Sequence, residues 1–184
     1  MSKIDDLAAA YARFVRLPWE RNLAGPQKCW FAIYDPTQER RLRPRVGAFQ
    51  AATLAAKHGW KLVDLTDAFA EWMAAHEYRE AYFEQPEDMD LALSDFADAA
   101  ARRVTEALTA PDADEDTVVA IVGLASLFGL VRASELFAKV APLIRGRLLA
   151  FFPGQHDGSN YRLLDARDGW NYLAVPISAA SGGT

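Results

Sequence analysis

The chain has 184 residues, of which 51% are hydrophobic and 24% charged, and it contains a single cysteine. A folded monomer of this length buries roughly 70% of the surface of its unfolded chain, which is enough for a core without a disulfide or a structural metal. This composition excludes intrinsically disordered, collagen-like and low-complexity proteins. One cysteine excludes an internal disulfide framework and a cysteine-based zinc site.

The net charge of −5 conceals an uneven distribution along the chain. Residues 64–116 contain 16 acidic and 3 basic residues, whereas the remainder contains 9 acidic and 17 basic ones. Two interpretations stay open. The charges either solvate helix faces that differ in sign, or they form two surfaces for two different partners.

The N-terminal sequence predicts a helix over residues 1–17 rather than an export signal. Ser2 is placed to cap this helix, and Pro18 stops it. Asp5 and Asp6 stand near the start, where a signal peptide has a positive flank and then an apolar stretch. No apolar run reaches the length of a membrane span. We therefore expect a soluble, cytoplasmic protein without a membrane partner.

Four apolar runs predict buried strands, and they lie at residues 29–34, 60–65, 118–122 and 147–152. Three of them are almost continuously apolar, as in strands that are covered on both faces, whereas Lys61 and Asp64 interrupt the run at 60–65. Helical patterns separate the runs, and strands that alternate with helices form a parallel sheet. The sequence therefore predicts one α/β domain over residues 1–184, a three-layer Rossmann-like domain in which the four runs are neighbours in a mainly parallel sheet.

The segments between the first three strands predict helices of different character. The first runs from Leu42 or Pro44 to His58, with Gly59 as the residue that ends it. A helical insert is predicted over residues 68–110. It comprises a helix to about Phe83, an acidic break, and a second helix to Leu108.

The C-terminal third predicts one more helix and an addition to the sheet. The helix begins near Arg132 or Ser134 and ends at about Ile144. Two short strands, at 161–164 and 172–177, predict an antiparallel extension of the sheet. Residues 178–184 are small and polar, and they predict a flexible tail.

Chemical motifs at the predicted strand ends are sparse. The pattern Gly-x-x-x-x-Gly-Lys-Ser/Thr is absent, because Gly129 is followed by Leu130, and no Gly-x-Gly-x-x-Gly occurs either. Asp35 and Asp67 follow predicted strands and are candidate magnesium ligands, although Asp also caps helices and forms turns at such positions. We expect neither a cofactor nor a metal.

The histidines and the cysteine give no complete catalytic pattern. His58, His76 and His156 are scattered, and no His-Glu-x-x-His spacing exists. His156 with Asp157 is a candidate acid–base pair. Cys29 begins a buried strand, which favours a small core residue over a nucleophile.

A cluster of arginines precedes the second predicted helix and is the candidate partner-binding site. It consists of Arg40, Arg41, Arg43 and Arg45. Arginines near a helix N-terminus bind phosphate or carboxylate groups well, since the helix dipole also favours anions there. A solvated basic face is the alternative. Nucleic-acid binding is a lesser possibility, because the sequence pI is only about 5.2.

Residues 118–136 and the C-terminal third resemble a known family. The strand and loop Val118-Val119-Ala120-Ile121-Val122-Gly123-Leu124-Ala125-Ser126-Leu127-Phe128-Gly129, followed by Arg132-Ala133-Ser134-Glu135-Leu136, is similar to the BrxB family of bacterial BREX (bacteriophage exclusion) clusters. Phe151-Phe152-Pro153-Gly154, Asn160-Tyr161-Arg162-Leu163-Leu164 and Trp170-Asn171-Tyr172-Leu173-Ala174-Val175-Pro176-Ile177 fit the same family. Weaker similarity reaches back to about residue 20, so that roughly 85% of the chain is covered.

The resemblance implies a component of antiphage defence without a known catalytic site. It implies a non-enzymatic adaptor that binds PglZ, the alkaline-phosphatase-like protein of BREX systems, beside an adenine methyltransferase and an ATPase. No catalytic residue is carried over. The alternatives are a degenerate nucleotide- or nucleic-acid-binding α/β module and a metal-dependent phosphoesterase.

Overall fold

A computed structural model describes residues 2–179. Its helices are α1 Lys3–Phe14, α2 Glu39–Leu42, α3 Val46–Ala55, α4 Ala68–Ala75, α5 Arg79–Glu84, α6 Leu93–Thr109 and α7 Ala133–Val140. Its strands are β1 Cys29–Tyr34, β2 Gly59–Asp64, β3 Thr117–Val122, β4 Arg147–Asp157, β5 Asn160–Leu163, β6 Trp170–Asn171 and β7 Val175–Ile177. No helix in this part of the chain is long and apolar enough to cross a membrane.

The central sheet has the strand order β2-β3-β4-β1-β7, and all of these neighbours run parallel. The predicted adjacency of the four apolar runs is therefore confirmed. β4 is long enough to leave the central sheet, and its last residues pair with β5 in antiparallel fashion. β5 in turn pairs with β6.

Helices cover both faces of the sheet over its central strands. The run at 60–65 is predicted to be buried, but β2 is an edge strand, and only Val63 and Leu65 of this run are buried. Odd-numbered β1 residues such as Phe31 face a core shared with α4, α6 and α7. Even-numbered ones such as Trp30 face a second core shared with α1 and α3. In this second core the hydroxyls of Tyr11 and Thr53 hydrogen-bond at 2.6 Å, which joins α1 to α3. The result is an α/β fold of three layers.

Helix bounds differ from the sequence prediction where a local hydrogen bond competes with the helix. The predicted helix from Leu42 or Pro44 to His58 is found as a 3₁₀ turn followed by α3, which ends at Ala55, and Lys57 then takes a positive φ of 68°. Gly59 belongs to β2 instead. The helix predicted over 68–83 breaks at His76, whose Nδ1 accepts a hydrogen bond from the Tyr78 amide.

Within the predicted helical insert, α4 and α6 contribute buried residues to the core. α6 is the connection between β2 and β3, and its buried face includes Phe96 and Val104. At the C-terminus only part of the predicted antiparallel extension is found, since β7 pairs in parallel with β1. This pairing covers the second edge of β1 and buries Ile177 against the α1 layer. Residues 180–184 of the predicted flexible tail lie outside the described residues.

Candidate interaction surfaces

The predicted arginine cluster lies in the short turns between β1 and α3. Arg40 and Arg41 belong to α2, and Arg43 and Arg45 to the 3₁₀ turn that leads into α3. All four are exposed. The cluster therefore lies near the N-terminus of α3, as the sequence predicts.

Two of these arginines are already engaged within the chain. Arg43 forms an ion pair with Glu39 at 3.2 Å and donates to the Thr66 hydroxyl at 3.0 Å. Arg45 pairs with Asp5, the acidic residue of the α1 capping box. Arg40 and Arg41 form no ion pair within residues 2–179, and they remain as the free charges of the cluster.

A second surface comprises residues 76–91, here called the acidic segment. None of these 16 residues is buried. Residues 77–91 contain six acidic residues and one basic residue. Three large apolar side chains are nevertheless exposed to solvent, since Tyr78 is 58%, Phe83 69% and Leu91 89% accessible. Exposed apolar side chains that lie this close together in the chain are candidates for a protein interaction site.

Local sequence explains why the acidic segment stands away from the core. The backbone is extended at His76, and Pro86 begins a 3₁₀ turn that runs to Ala92. The segment is held at its two ends, where Met73 and Ala92 are buried. Between these anchors α5 has no buried residue.

A groove of about 430 Å³ lies between the loop before α7 and the loop that joins β5 to β6. Arg132 and Arg167 line it, and neither forms an ion pair within the described residues. Trp170 also lines it, and the Trp170 Nε1 is buried without a hydrogen-bond partner. Exposed Phe128 forms part of the apolar wall. The groove thus combines free cations with apolar surface.

The two candidate metal ligands are kept apart by the strand order. Asp35 follows β1 and Asp67 follows β2, and β3 and β4 lie between these strands. Three strand spacings amount to about 14 Å. Asp35 accepts hydrogen bonds from the amide and hydroxyl of Thr37, and these bonds lower the pKa of its carboxyl. Within residues 2–179 no group of three His, Cys, Asp or Glu could hold a metal.

The histidines also lie in separate places. His58 stacks on Trp19, with ring centroids 3.7 Å apart, and its Nδ1 is buried without a hydrogen-bond partner. His76 belongs to the break between α4 and α5. His156 stacks on Tyr161, and its Nδ1 contacts the Gly158 carbonyl at 3.2 Å rather than Asp157. The predicted His156–Asp157 pair is therefore not formed through this nitrogen.

The loop after β3 is built around contact with the neighbouring strand end. Gly123 has a φ of 87°, in the left-handed region that favours glycine. A Cβ at this position would lie 2.5 Å from the backbone nitrogen of Thr66. The glycine is thus required by the close approach of two loops, which is a different role from cradling a phosphate.

One notable residue, Arg147, was not singled out by the sequence. It is the first residue of β4 and is only 4% exposed, although it forms no ion pair within the described residues. Its guanidinium carbon lies 4.9 Å from the ring centroid of Trp19 and 5.7 Å from that of Trp30. Burial lowers the pKa of this guanidinium. The one available signal is an arginine that opens the otherwise apolar run 147–152.

No protein-family model, curated protein or solved structure matches this chain.

These surfaces favour recognition by charge and apolar contact. The acidic segment offers carboxylates around exposed aromatic and aliphatic side chains, which suits a basic partner surface with apolar pockets. Arg40 and Arg41 offer a smaller basic patch. The groove beside α7 suits an anionic ligand with an apolar part.

Proposed function

We propose that this chain is a non-enzymatic, cytoplasmic adaptor of a BREX antiphage defence system, built on a Rossmann-like domain. Its partner is the PglZ-like protein of the same system. The family is proposed from the resemblance of residues 118–136 and of the C-terminal third to BrxB proteins. The role of an adaptor is proposed from the surfaces of the molecule.

The acidic segment is the observation that carries this proposal. Tyr78, Phe83 and Leu91 are exposed although nothing in the local fold requires apolar residues there. Aromatic and aliphatic side chains of this kind form the centres of protein interfaces, where they are buried by the partner. The surrounding carboxylates form the polar rim and attract a basic surface.

The basic patch provides a second contact in this proposal. Arg40 and Arg41 are free to pair with carboxylates of PglZ or of another BREX component. Arg43 and Arg45 have internal partners, and they contribute mainly by holding the α2 turn in place. One acidic and one basic surface give an adaptor two sites of opposite charge.

Co-purification tests the proposed function. The PglZ-like protein carries an affinity tag, and the two proteins are combined after nuclease treatment at low and at high salt. We expect a complex that survives the nuclease and weakens at high salt, because charged surfaces are screened. Absence of a complex at low salt would contradict the adaptor function, and loss on nuclease treatment would indicate a nucleic-acid bridge.

The groove beside α7 favours a second candidate function, that of a degenerate nucleotide- or nucleic-acid-binding module. One of its walls is the loop that joins β3 to α7. This loop lies near the carboxyl edge of the sheet, where α/β proteins bind ligands. Arg132 and Arg167 are the free cations there. Fluorescent nucleotide and single-stranded DNA titrations test this candidate, with the variant Arg132→Met and Arg167→Met as the comparison. Binding that the double variant removes would favour this candidate.

A further inference from the structure

The buried Arg147 has unused hydrogen-bonding capacity. Its Nη1 donates to the Gly146 carbonyl at 2.9 Å, and its Nη2 donates to the Glu20 carbonyl at 2.7 Å. A guanidinium has five N–H donors, so these two bonds leave others available. Burial of a charge is costly, and the contacts with Trp19 and Trp30 and the attraction of the nearby Glu20 carboxylate offset part of that cost.

Arg147 lies beside a cavity of about 220 Å³ that has an unusual concentration of positive charge. Three further cations line the cavity, namely Arg21, Lys28 and Arg145. Lys28 and Arg145 each donate a hydrogen bond to a backbone carbonyl and form no ion pair within the described residues. Neutral carbonyls fix the positions of these side chains, but they do not balance the charge.

The carboxylates in the cavity are committed to a single cation. Glu115 and Asp116 both pair with Arg21. Four cations and two carboxylates line the cavity, and two carboxylates outside the lining, Glu20 and Asp114, attract Arg147 and Arg145 respectively. An oxyanion suits a lining in which cations predominate, and guanidinium groups bind such oxygens through short charge-assisted hydrogen bonds.

We propose that this cavity binds a phosphate group, either as inorganic phosphate or as a small phosphomonoester. The cavity is smaller than the roughly 300–1,000 Å³ of pockets for drug-sized ligands, so a small anion is the fitting occupant. Trp19 forms one wall and is held by its stacking on His58. Because Trp19 and Glu20 belong to the connector between α1 and β1, the bound anion also fixes this connector.

The site is separate from the surfaces of the proposed function. Arg147 begins β4, and Lys28 immediately precedes β1, so the cavity lies at the amino-terminal edge of the parallel sheet. The groove near the carboxyl edge and the acidic segment contribute no residue to it. Failure of phosphate binding would therefore leave the adaptor proposal intact, and failure of the adaptor proposal would leave this site intact.

Isothermal titration of the full chain tests the site. Inorganic phosphate and O-phosphoserine are titrated separately at constant ionic strength, with chloride as the matched reference. We expect saturable binding of phosphate. O-phosphoserine binding with similar affinity would assign the site to monoesters, and binding of phosphate alone would assign it to the free ion. Saturation by neither ligand would overturn the proposal.

Variants show whether the anion occupies this cavity. Arg147→Lys removes the guanidinium fork and should weaken binding about tenfold or more. Lys28→Met and Arg145→Met lie at partly exposed positions and should each weaken binding severalfold in a folded protein, so the test does not depend on the Arg147 variant. Arg132→Met, in the groove, is the control and should bind unchanged. Unchanged affinity in both Lys28→Met and Arg145→Met, or a loss in Arg132→Met, would overturn the proposal.

Discussion

At the scale of single residues, Gly123 shows how a backbone requirement decides a residue type. Its φ is positive, and a Cβ at this position would lie only 2.5 Å from the Thr66 backbone nitrogen. Both features disfavour any side chain at residue 123. We predict that Gly123→Ala lowers the free energy of unfolding by about 2–4 kcal/mol, because strain and overlap add.

Gly129 provides the matched control for this prediction. It also has a positive φ, of 78°, but a Cβ there would meet nothing within 4 Å. Gly129→Ala should therefore cost only the backbone strain, about 1 kcal/mol. Urea unfolding of both variants measures the difference, and equal losses would contradict the role of the Thr66 contact.

Cys29 gives a second prediction at this scale. Its thiol is buried in β1, and burial raises its pKa to about 12. At pH 8 the thiol is therefore protonated as well as shielded, and alkylating reagents react with thiolates. We predict that iodoacetamide labels the native protein only at the rate of unfolding, whereas labelling in urea is complete within the reaction time. Mass spectrometry measures the labelled fraction over time. Rapid labelling of the native protein would contradict this prediction.

Other features of single residues lie beyond sequence reasoning. The buried position of Cys29 follows from the continuous apolar run around it. The surroundings of Arg147 do not, because its hydrogen bond to Glu20 joins residues 127 positions apart. No local pattern announces a contact of that sequence separation.

At the scale of elements, substitutions in the acidic segment should leave the stability of the protein unchanged, whereas substitutions in the buried face of α6 should lower it. Phe83 is 69% exposed, whereas Phe96 in α6 is fully buried. We predict that Phe83→Ser changes the free energy of unfolding by less than about 0.5 kcal/mol, and that Phe96→Ala lowers it by about 3–5 kcal/mol. Thermal and urea unfolding provide the measurement. A large loss in Phe83→Ser would show that the segment is part of the core.

The basic patch gives a further prediction at this scale. Reversing only Arg40 and Arg41 to Glu leaves the ion pairs of Arg43 and Arg45 intact, so the variant should unfold like the parent protein. We predict slower association with the PglZ-like partner, with a smaller effect at high salt. Surface plasmon resonance at two salt concentrations measures this, and an unchanged association rate would identify the patch as a solvated face.

Helices and strands were predictable where the pattern that specifies them lies within the same stretch of sequence. The four central strands follow from continuous apolar runs, and α1 follows from Ser2 and its capping box. The break at His76 depends on one hydrogen bond to the Tyr78 amide. The parallel pairing of β7 depends on the free edge of β1, which only the assembled sheet creates.

At the scale of the whole molecule, part of the acidic excess of residues 64–116 and part of the basic excess of the rest of the chain lie on different parts of the surface. Much of the acidic excess lies in a segment without buried residues, whereas part of the basic excess lines a small surface cavity. The sequence alone favours the arginine cluster as the main candidate surface. The paired state of Arg43 and Arg45 makes the acidic segment the stronger candidate for partner binding.

The affinity of the PglZ-like protein for a variant of the acidic segment tests whether this segment forms the proposed interface. The variant carries Tyr78→Ser, Phe83→Ser and Leu91→Ser, and its matched control carries Leu54→Ser and Leu173→Ser, two exposed apolar residues elsewhere. With both variants as stable as the parent, we predict at least a tenfold loss of affinity in the segment variant and no loss in the control, as expected when apolar anchors lie at the centre of an interface. Parent-like affinity in the folded segment variant would contradict this account.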